Sequence, residues 1–209
     1  AHREEKSVLL VVTVSDRGLA GGFNAQVNRA AERLARDLES QGKKVSLLTI
    51  GRKGRDYFRR RGFDIVEELP GVTERLGITE ANNIAAKIID WFTGGTTSEG
   101  EFVASDADEH AGEAPIGLLP AANPASQGQY DAVYFLYNEF RSAMSQQVNI
   151  DRLLPIEASS LEEGQNVQEF LYEPNREGLL ERLLPLYVQT TVFRGLLESI
   201  ASEHGARMT

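Results

Sequence analysis

The sequence predicts a doubly wound α/β domain: a Rossmann-like, mostly parallel sheet of about five strands with flanking helices. Three observations favour this fold class. Residues 7–14 are apolar on both faces of a strand, which is typical of a parallel sheet covered by helices. Strand and helix patterns then alternate along the chain. Between the first strand and the first helix lies a glycine-rich stretch, residues 15–24, which suits a tight α/β connection.

The first half of the chain continues this alternation. Asn24 is a favourable N-cap for a helix whose apolar positions are four or three residues apart and which Gly42 ends. A second strand is predicted at 44–50 and a short helix at 53–61. A third strand at 63–69 precedes a helix that Thr79 can cap.

Residues 94–129 interrupt the alternation. They are rich in Gly, Pro, Ser and Thr and carry six carboxylates without a single Lys or Arg. Such a segment offers too little apolar area to offset the entropy of ordering it, so it is predicted to be an acidic flexible insert. A metal site that includes His110 is the alternative, but the spacing of the carboxylates matches no EF-hand loop.

The second half returns to ordered patterns. Strands are predicted at 130–137 and 147–154, with a short edge strand at 170–172. Residues 176–209 carry a long helical pattern that Pro185 is expected to interrupt or kink. This helix is longer than a small sheet needs, so its far end is predicted to leave the domain and join a coiled coil.

The length and composition of the chain exclude several classes of function. One domain covering residues 1–209 is expected at this length. The net charge of -9, with one basic cluster at 59–61, argues against a nucleic-acid partner. The chain has no cysteine, which excludes disulfides and thiolate chemistry, and its longest apolar run is too short to insert directly into a membrane.

The glycine-rich stretch resembles a phosphate-binding loop but has the wrong spacing. Gly18, Gly21 and Gly22 fit neither the dinucleotide fingerprint nor the phosphate loop of NTPases. We therefore expect a structural turn, formed by these three glycines with Asp16 and Asn24, in which at least one glycine needs a left-handed conformation. A nucleotide-binding or small-molecule enzyme on the same fold is the competing hypothesis.

No catalytic, cofactor-binding or metal site is predicted. The three histidines, His2, His110 and His204, are too far apart in sequence to suggest a metal cluster or a triad. Asp16 lies at the carboxyl end of the first strand, where α/β folds place ligands, and could act as a base or a metal ligand. The favoured interpretation is that its carboxylate accepts N–H bonds inside its own glycine turn.

Three stretches, in the same order, resemble the gamma subunit of rotary ATP synthases. Residues 15–24 read SDRGLAGGFN, where that family usually has SDRGLCGGFN, so Ala20 replaces a cysteine. The second stretch runs from 133 to 140 and continues at 145–146 and 153–156, and the third covers 196–208. The resemblance extends over nearly the whole chain except residues 94–129.

The resemblance implies a non-catalytic central stalk that couples ion flow to ATP synthesis. Its partners would be the alpha and beta subunits of the catalytic ring, the epsilon subunit and the membrane c-ring. It places Phe170, Tyr172 and Glu173 near the foot of the stalk, and residues 176–209 at the start of the C-terminal shaft helix. The expected location is peripheral, on the cytoplasmic face of a bacterial inner membrane or the equivalent face of an organelle membrane. The long N-terminal shaft helix of that family is not expected within this sequence.

Overall fold

The computed structural model describes residues 5–18, 20–94, 128–142, 144–156 and 176–208. Within these residues the chain forms five strands and four helices. In chain order they are β1 (Ser7–Thr13), α1 (Phe23–Ser40), β2 (Lys44–Ile50), α2 (Arg52–Arg59), β3 (Ile65–Leu69), α3 (Ile78–Thr93), β4 (Ala132–Ser142), β5 (Ser145–Leu154) and α4 (Arg176–Met208).

The five strands form one sheet in the order β3-β2-β1-β4-β5. The pairs β1–β2, β2–β3 and β1–β4 are parallel, whereas β5 runs antiparallel to β4. The chain therefore adds strands to one side of β1 and then crosses to the other side. This arrangement confirms the predicted doubly wound, mostly parallel sheet.

Both faces of the sheet are covered by helices. On one face, α1 and α2 pack against the β1 residues Val8, Leu10 and Val12. On the other, α3 and α4 pack against Leu9 and Val11. Each fully buried aliphatic side chain contributes ~1.5–3 kcal/mol. Burial on both sides explains why β1 is apolar at successive positions and does not alternate with polar residues.

Two of the predicted helix caps are wrong. Helices α1 and α3 follow Gly22 and Gly77, so Asn24 and Thr79 lie inside the helices they were expected to cap. The side chain of Asn24 turns back to the loop after β1 and accepts a hydrogen bond from Ser15 N at 2.9 Å. That contact with the preceding strand outweighs the local preference of asparagine for a cap.

Strands β4 and β5 are longer than predicted and form a hairpin. β4 continues to Ser142, and β5 begins at Ser145, with cross-strand pairs such as Glu139 opposite Gln147. Residues in this extension are mostly polar, so apolar periodicity gave no signal for it.

The C-terminal helix α4 runs from Arg176 to Met208 as one element that contains Pro185. Of the two outcomes expected at the proline, an interruption or a kink, the interruption is therefore wrong. Helix α2 begins at Arg52 and β3 at Ile65, close to their predicted positions. The expectations for residues 95–127 and 170–172 lie outside the described residues.

Candidate functional site

The carboxyl edge of the sheet is organised around Asp16, whose side chain is only 2% exposed. Its Oδ1 accepts hydrogen bonds from Gly71 N at 2.9 Å and Arg52 N at 3.1 Å. Its Oδ2 accepts a third from Thr73 Oγ1 at 3.0 Å. The interpretation that the donors belong to the glycine turn of Asp16 is wrong, because among the described residues they lie in the loops after β2 and β3. One carboxylate thus joins three loops.

Gly51 makes this close approach of the loops possible. It has φ +98, and a Cβ built on it would lie 2.1 Å from Val14 O. Any other residue would clash with the end of β1 and would be strained in this conformation. Because Gly51 has no side chain, the backbone N–H of Arg52 reaches the carboxylate of Asp16.

The glycine turn itself needs a left-handed residue at one described position. Gly21 has φ +50, whereas Gly22 lies in the right-handed helical region at φ -78. A Cβ on Gly18 would lie 3.6 Å from Lys53 Cε, which is ordinary van der Waals contact. Asn24 closes the turn through Ser15, with Nδ2 donating to Ser15 Oγ at 2.8 Å.

The structure thus brings Asp16, Gly18, Gly21, Gly22 and Asn24 to one edge of the sheet. Phe170, Tyr172 and Glu173 lie outside the described residues. Sequence reasoning missed the partners of Asp16, which are Arg52, Gly71 and Thr73. The available signal was a glycine at or near the end of each strand, since Gly51 and Gly71 both have positive φ.

The arrangement leaves little room for chemistry at Asp16. Both carboxylate oxygens already accept hydrogen bonds, and Arg52 Nε lies 3.7 Å from Oδ1. Among the residues that the structure describes, no group of three or more His, Cys, Asp or Glu side chains could hold a metal ion. Asp16 therefore has a structural role: it joins the loops after β1, β2 and β3, and we call this arrangement the structural hub.

The position where doubly wound folds bind ligands lies between the carboxyl ends of β1 and β4. Here the C-terminal end of α4 packs against that position. Ser202 Oγ donates a hydrogen bond to Asn138 O at 3.2 Å, and Asn138 Nδ2 donates to Phe23 O at 3.3 Å. A Cβ on Gly21 would lie 4.0 Å from Ala206 O. The chain therefore covers its own switch point with α4.

A second polar cluster joins β4 to β5. Tyr137 donates a hydrogen bond from its hydroxyl to Asp151 Oδ2 at 2.9 Å, and Asn149 Nδ2 donates to the same hydroxyl at 2.8 Å. Burial raises the pKa of Tyr137 to about 12, and the contact with Asp151 adds to that rise while the bond from Asn149 opposes it. The phenol is therefore neutral across the physiological range.

Helices α1 and α2 and the turn after α2 carry seven exposed arginines despite the net charge of -9. These arginines are Arg29, Arg33, Arg36, Arg52, Arg59, Arg60 and Arg61. The guanidinium of Arg61 lies 3.6 Å from the Tyr57 ring centroid, and that of Arg36 lies 4.6 Å from the Phe63 centroid. The predicted basic cluster at 59–61 is among them. Four of the seven arginines pair with carboxylates, including Arg59 with Glu68 and Arg61 with Glu32.

None of the described helices is both long enough and apolar enough to cross a bilayer.

Comparison with known proteins identifies close relatives. The sequence profile of a family described as ATP synthase matches residues 1–209. An ATP synthase gamma chain from Sorangium cellulosum is 40% identical over 218 residues, which cover 99% of this chain and 57% of that protein. One from an Anaeromyxobacter species is 40% identical over 210 residues, covering 100% of this chain and 61% of that protein. The chain therefore spans less than two thirds of either relative.

Solved structures share the fold. A chain in the central stalk and c-ring of the Tetrahymena thermophila mitochondrial ATP synthase matches with a TM-score of 0.66 and 24% identity, covering 100% of this chain and 76% of that one. A chain in the rotor of the Euglena gracilis mitochondrial ATP synthase matches with a TM-score of 0.61 and 15% identity. The match covers 98% of this chain and 65% of that one. At sequence identities of 24% and 15%, these matches show only that the folds are similar.

Proposed function

Because this chain belongs to the ATP synthase gamma chain family, we propose that it is a non-catalytic part of the central stalk of a rotary ATP synthase. In this role it couples ion flow through a membrane ring to ATP synthesis or hydrolysis in a catalytic ring. The observation that carries the proposal is the family match over all 209 residues, together with relatives at 40% identity. No reaction chemistry is assigned to the chain itself.

The length of α4 supports a mechanical role. Its 33 residues span about 50 Å at ~1.5 Å per residue, whereas the 11 residues of β4 span about 37 Å at ~3.4 Å per residue. Its N-terminal part exposes Leu183, Leu186 and Tyr187. A helix longer than the strand it covers, with apolar side chains exposed before the part that packs on the sheet, suits an element that extends past the sheet as part of a shaft.

The competing function, a nucleotide-binding or small-molecule enzyme, is disfavoured by the same geometry. The switch point between β1 and β4 is where such an enzyme would bind its ligand. In this chain Ser202 hydrogen-bonds to Asn138 at that position, and both carboxylate oxygens of Asp16 already accept hydrogen bonds. The end of α4 therefore occupies the place that a ligand would take.

The proposed partners are the alpha and beta subunits, reached through the shaft, with the epsilon subunit and the c-ring at the foot. The proposed location is peripheral, on the cytoplasmic face of a bacterial inner membrane or its organelle equivalent. Within the foot we assign Phe170, Tyr172 and Glu173 to the contact with epsilon and the ring, since aromatic side chains dominate interface energetics. The double variant Tyr172→Ala, Glu173→Lys should weaken coupling while leaving the amount of this chain in the cell unchanged. Normal assembly and coupling would remove these residues from the interface.

The proposal is tested by reconstitution. The complete gamma subunit that contains these residues is combined with the other ATP synthase subunits of the same source in liposomes. We expect ATP-driven proton uptake that depends on this subunit, and no ATPase activity from the subunit alone. Proton uptake of equal size without the subunit would contradict the proposal, as would nucleotide turnover by the isolated chain.

A further inference from the structure

Helix α4 contacts β4 at three positions. Gly195 lies against the ring of Phe135, Glu198 Oε2 accepts a hydrogen bond from Phe140 N at 3.0 Å, and Ser202 Oγ donates to Asn138 O at 3.2 Å. Two of these three contacts end on the backbone of β4. A side chain bonded to the backbone of a strand holds the helix at a fixed height along that strand.

The contact at Gly195 leaves no room for a side chain. A Cβ at this position would lie 2.2 Å from Phe135 Cε1 and 2.9 Å from Cζ. Gly195 is helical and is not among the glycines with positive φ, so its backbone conformation does not require glycine. Glycine in a helix interior is otherwise unfavourable. The close approach of the Phe135 ring is therefore the reason for glycine here.

Phe135 cannot easily move away from this notch. Its side chain is completely buried, and its backbone is paired with Val11 of β1 on one side and with Asp151 of β5 on the other. Its ring also lies 5.0 Å from that of Tyr137. The ring therefore projects from the middle of the sheet in a fixed position. It packs into the notch that the missing side chain of Gly195 leaves in α4.

The two halves of α4 differ in how they are held. Around Gly195 the helix buries Val192, Leu196, Ser199 and Ser202 against the sheet. Ten residues earlier, Leu183 and Leu186 are nearly half exposed. A smooth apolar contact allows a helix to turn or slide on a sheet, whereas a ring seated in a notch opposes both motions because packed interiors transmit strain.

We propose that the seating of Phe135 in the Gly195 notch locks α4 to the sheet, so that torque passes between the shaft and the sheet domain at residues 195–202. Gly195 is then a positioning residue for coupling. This inference rests on the proposed central-stalk function and adds to it the place where the load is carried. The hydrogen bonds of Glu198 and Ser202 oppose slip along the helix axis, and the Phe135 ring opposes rotation about it.

The test adds one methyl group at the notch. Gly195→Ala is introduced into the complete gamma subunit, and the assembled enzyme is reconstituted in liposomes. We expect ATP hydrolysis close to wild type and a several-fold lower ratio of protons pumped to ATP hydrolysed. The matched control is Gly22→Ala, the same chemical change where a Cβ meets only the flexible side chain of Gln26, at 3.3 Å. That control should couple normally.

A second variant separates seating from simple loss of stability. Phe135→Leu removes the Cε1 and Cζ atoms with which the new Cβ would collide. The double variant Phe135→Leu, Gly195→Ala should therefore recover most of the coupling ratio that Gly195→Ala loses, and should assemble even where Gly195→Ala does not. A double variant as impaired as Gly195→Ala, or a Gly195→Ala enzyme with a normal ratio, would overturn the inference. Failure of the central-stalk function is distinguishable, because the wild-type enzyme would then pump protons without this subunit.

Discussion

The carboxylate of Asp16, just after β1, accepts a hydrogen bond of 2.9 Å from the backbone N–H of Gly71, which follows β3. Strand β2 lies between those two strands, so the bond spans the width of one strand. The same oxygen accepts the N–H of Arg52, which follows β2 itself. The carboxyl ends of three neighbouring strands are thereby held by one side chain.

Removal of this carboxylate should destabilise the fold. Asp16→Ala leaves the N–H groups of Gly71 and Arg52 without their acceptor, and each unsatisfied buried group costs ~1–3 kcal/mol. We expect a loss of about 3 kcal/mol in the free energy of unfolding, measured by urea titration. Asp37→Ala, an exposed carboxylate on α1, is the control and should change stability by less than ~0.5 kcal/mol. Equal stabilities of the two variants would rule out the structural hub.

The glycine turn should respond differently at two neighbouring positions. Gly21→Ala places a Cβ on a residue with φ +50, which costs ~1–2 kcal/mol. Gly22→Ala has a compatible backbone and should be neutral or slightly stabilising. Thermal unfolding of the two variants checks this order. Millimolar ATP or NAD should leave the melting temperature of the unmodified chain unchanged, and a rise with either would favour the nucleotide-binding alternative.

Tyr137 should make stability fall at high pH. Burial raises the pKa of Tyr137 to about 12, while an unfolded tyrosine titrates near ~10. The neutral phenol therefore contributes fully below pH ~10, and its contribution is lost as the pH rises towards ~12. The free energy of unfolding of the unmodified chain should fall more steeply over this range than that of Tyr137→Phe. Tyr57 and Tyr130, whose pKa values are also raised, are present in both proteins and cancel in the difference. If the free energies of unfolding of the two proteins fell in parallel with pH, the pKa of Tyr137 would not be raised by folding.

The acidic insert should be dispensable for folding. Its flanks already meet, since Gln129 N donates a hydrogen bond to Trp91 O at 2.8 Å and Gly94 ends α3 three residues later. Residues left between Gly94 and Gly128 need to close only a short loop, and loop length affects stability weakly. Deletion of residues 97–126 should leave the urea midpoint nearly unchanged. A large drop would mean that the insert packs on the sheet.

The positions of the strands and helices with a strong apolar periodicity could be predicted from the sequence. The unbroken apolar run of β1 and the helical spacing of Val27, Ala31 and Leu38 predicted where the strand and α1 lie, because burial on two faces or on one leaves distinct patterns. The doubly wound, mostly parallel sheet was predicted from the alternation of strands and helices, but the order of the strands was not. Periodicity and crossover rules apply only to residues or elements that are close together in the sequence.

Contacts between distant residues could not be predicted in this way. Asp16 and Asn24 were recognised as members of the turn, but their bonding partners depend on where other loops end. Gly51 lets Arg52 N approach Asp16, and no local sequence pattern indicates that contact. The seating of Phe135 against Gly195 joins residues 60 positions apart, and no local pattern marks it.

The central-stalk role is tested most directly by watching this domain rotate. The 209 residues contain no cysteine, so Arg33→Cys, on the exposed side of α1 and away from α4, provides a single thiol in this domain for a bead. The catalytic ring of the assembled enzyme is fixed to a surface and ATP is added. The account predicts that the bead turns continuously in one direction, and that it stops when ATP is withdrawn. A bead that stays still while the same enzyme hydrolyses ATP would contradict it.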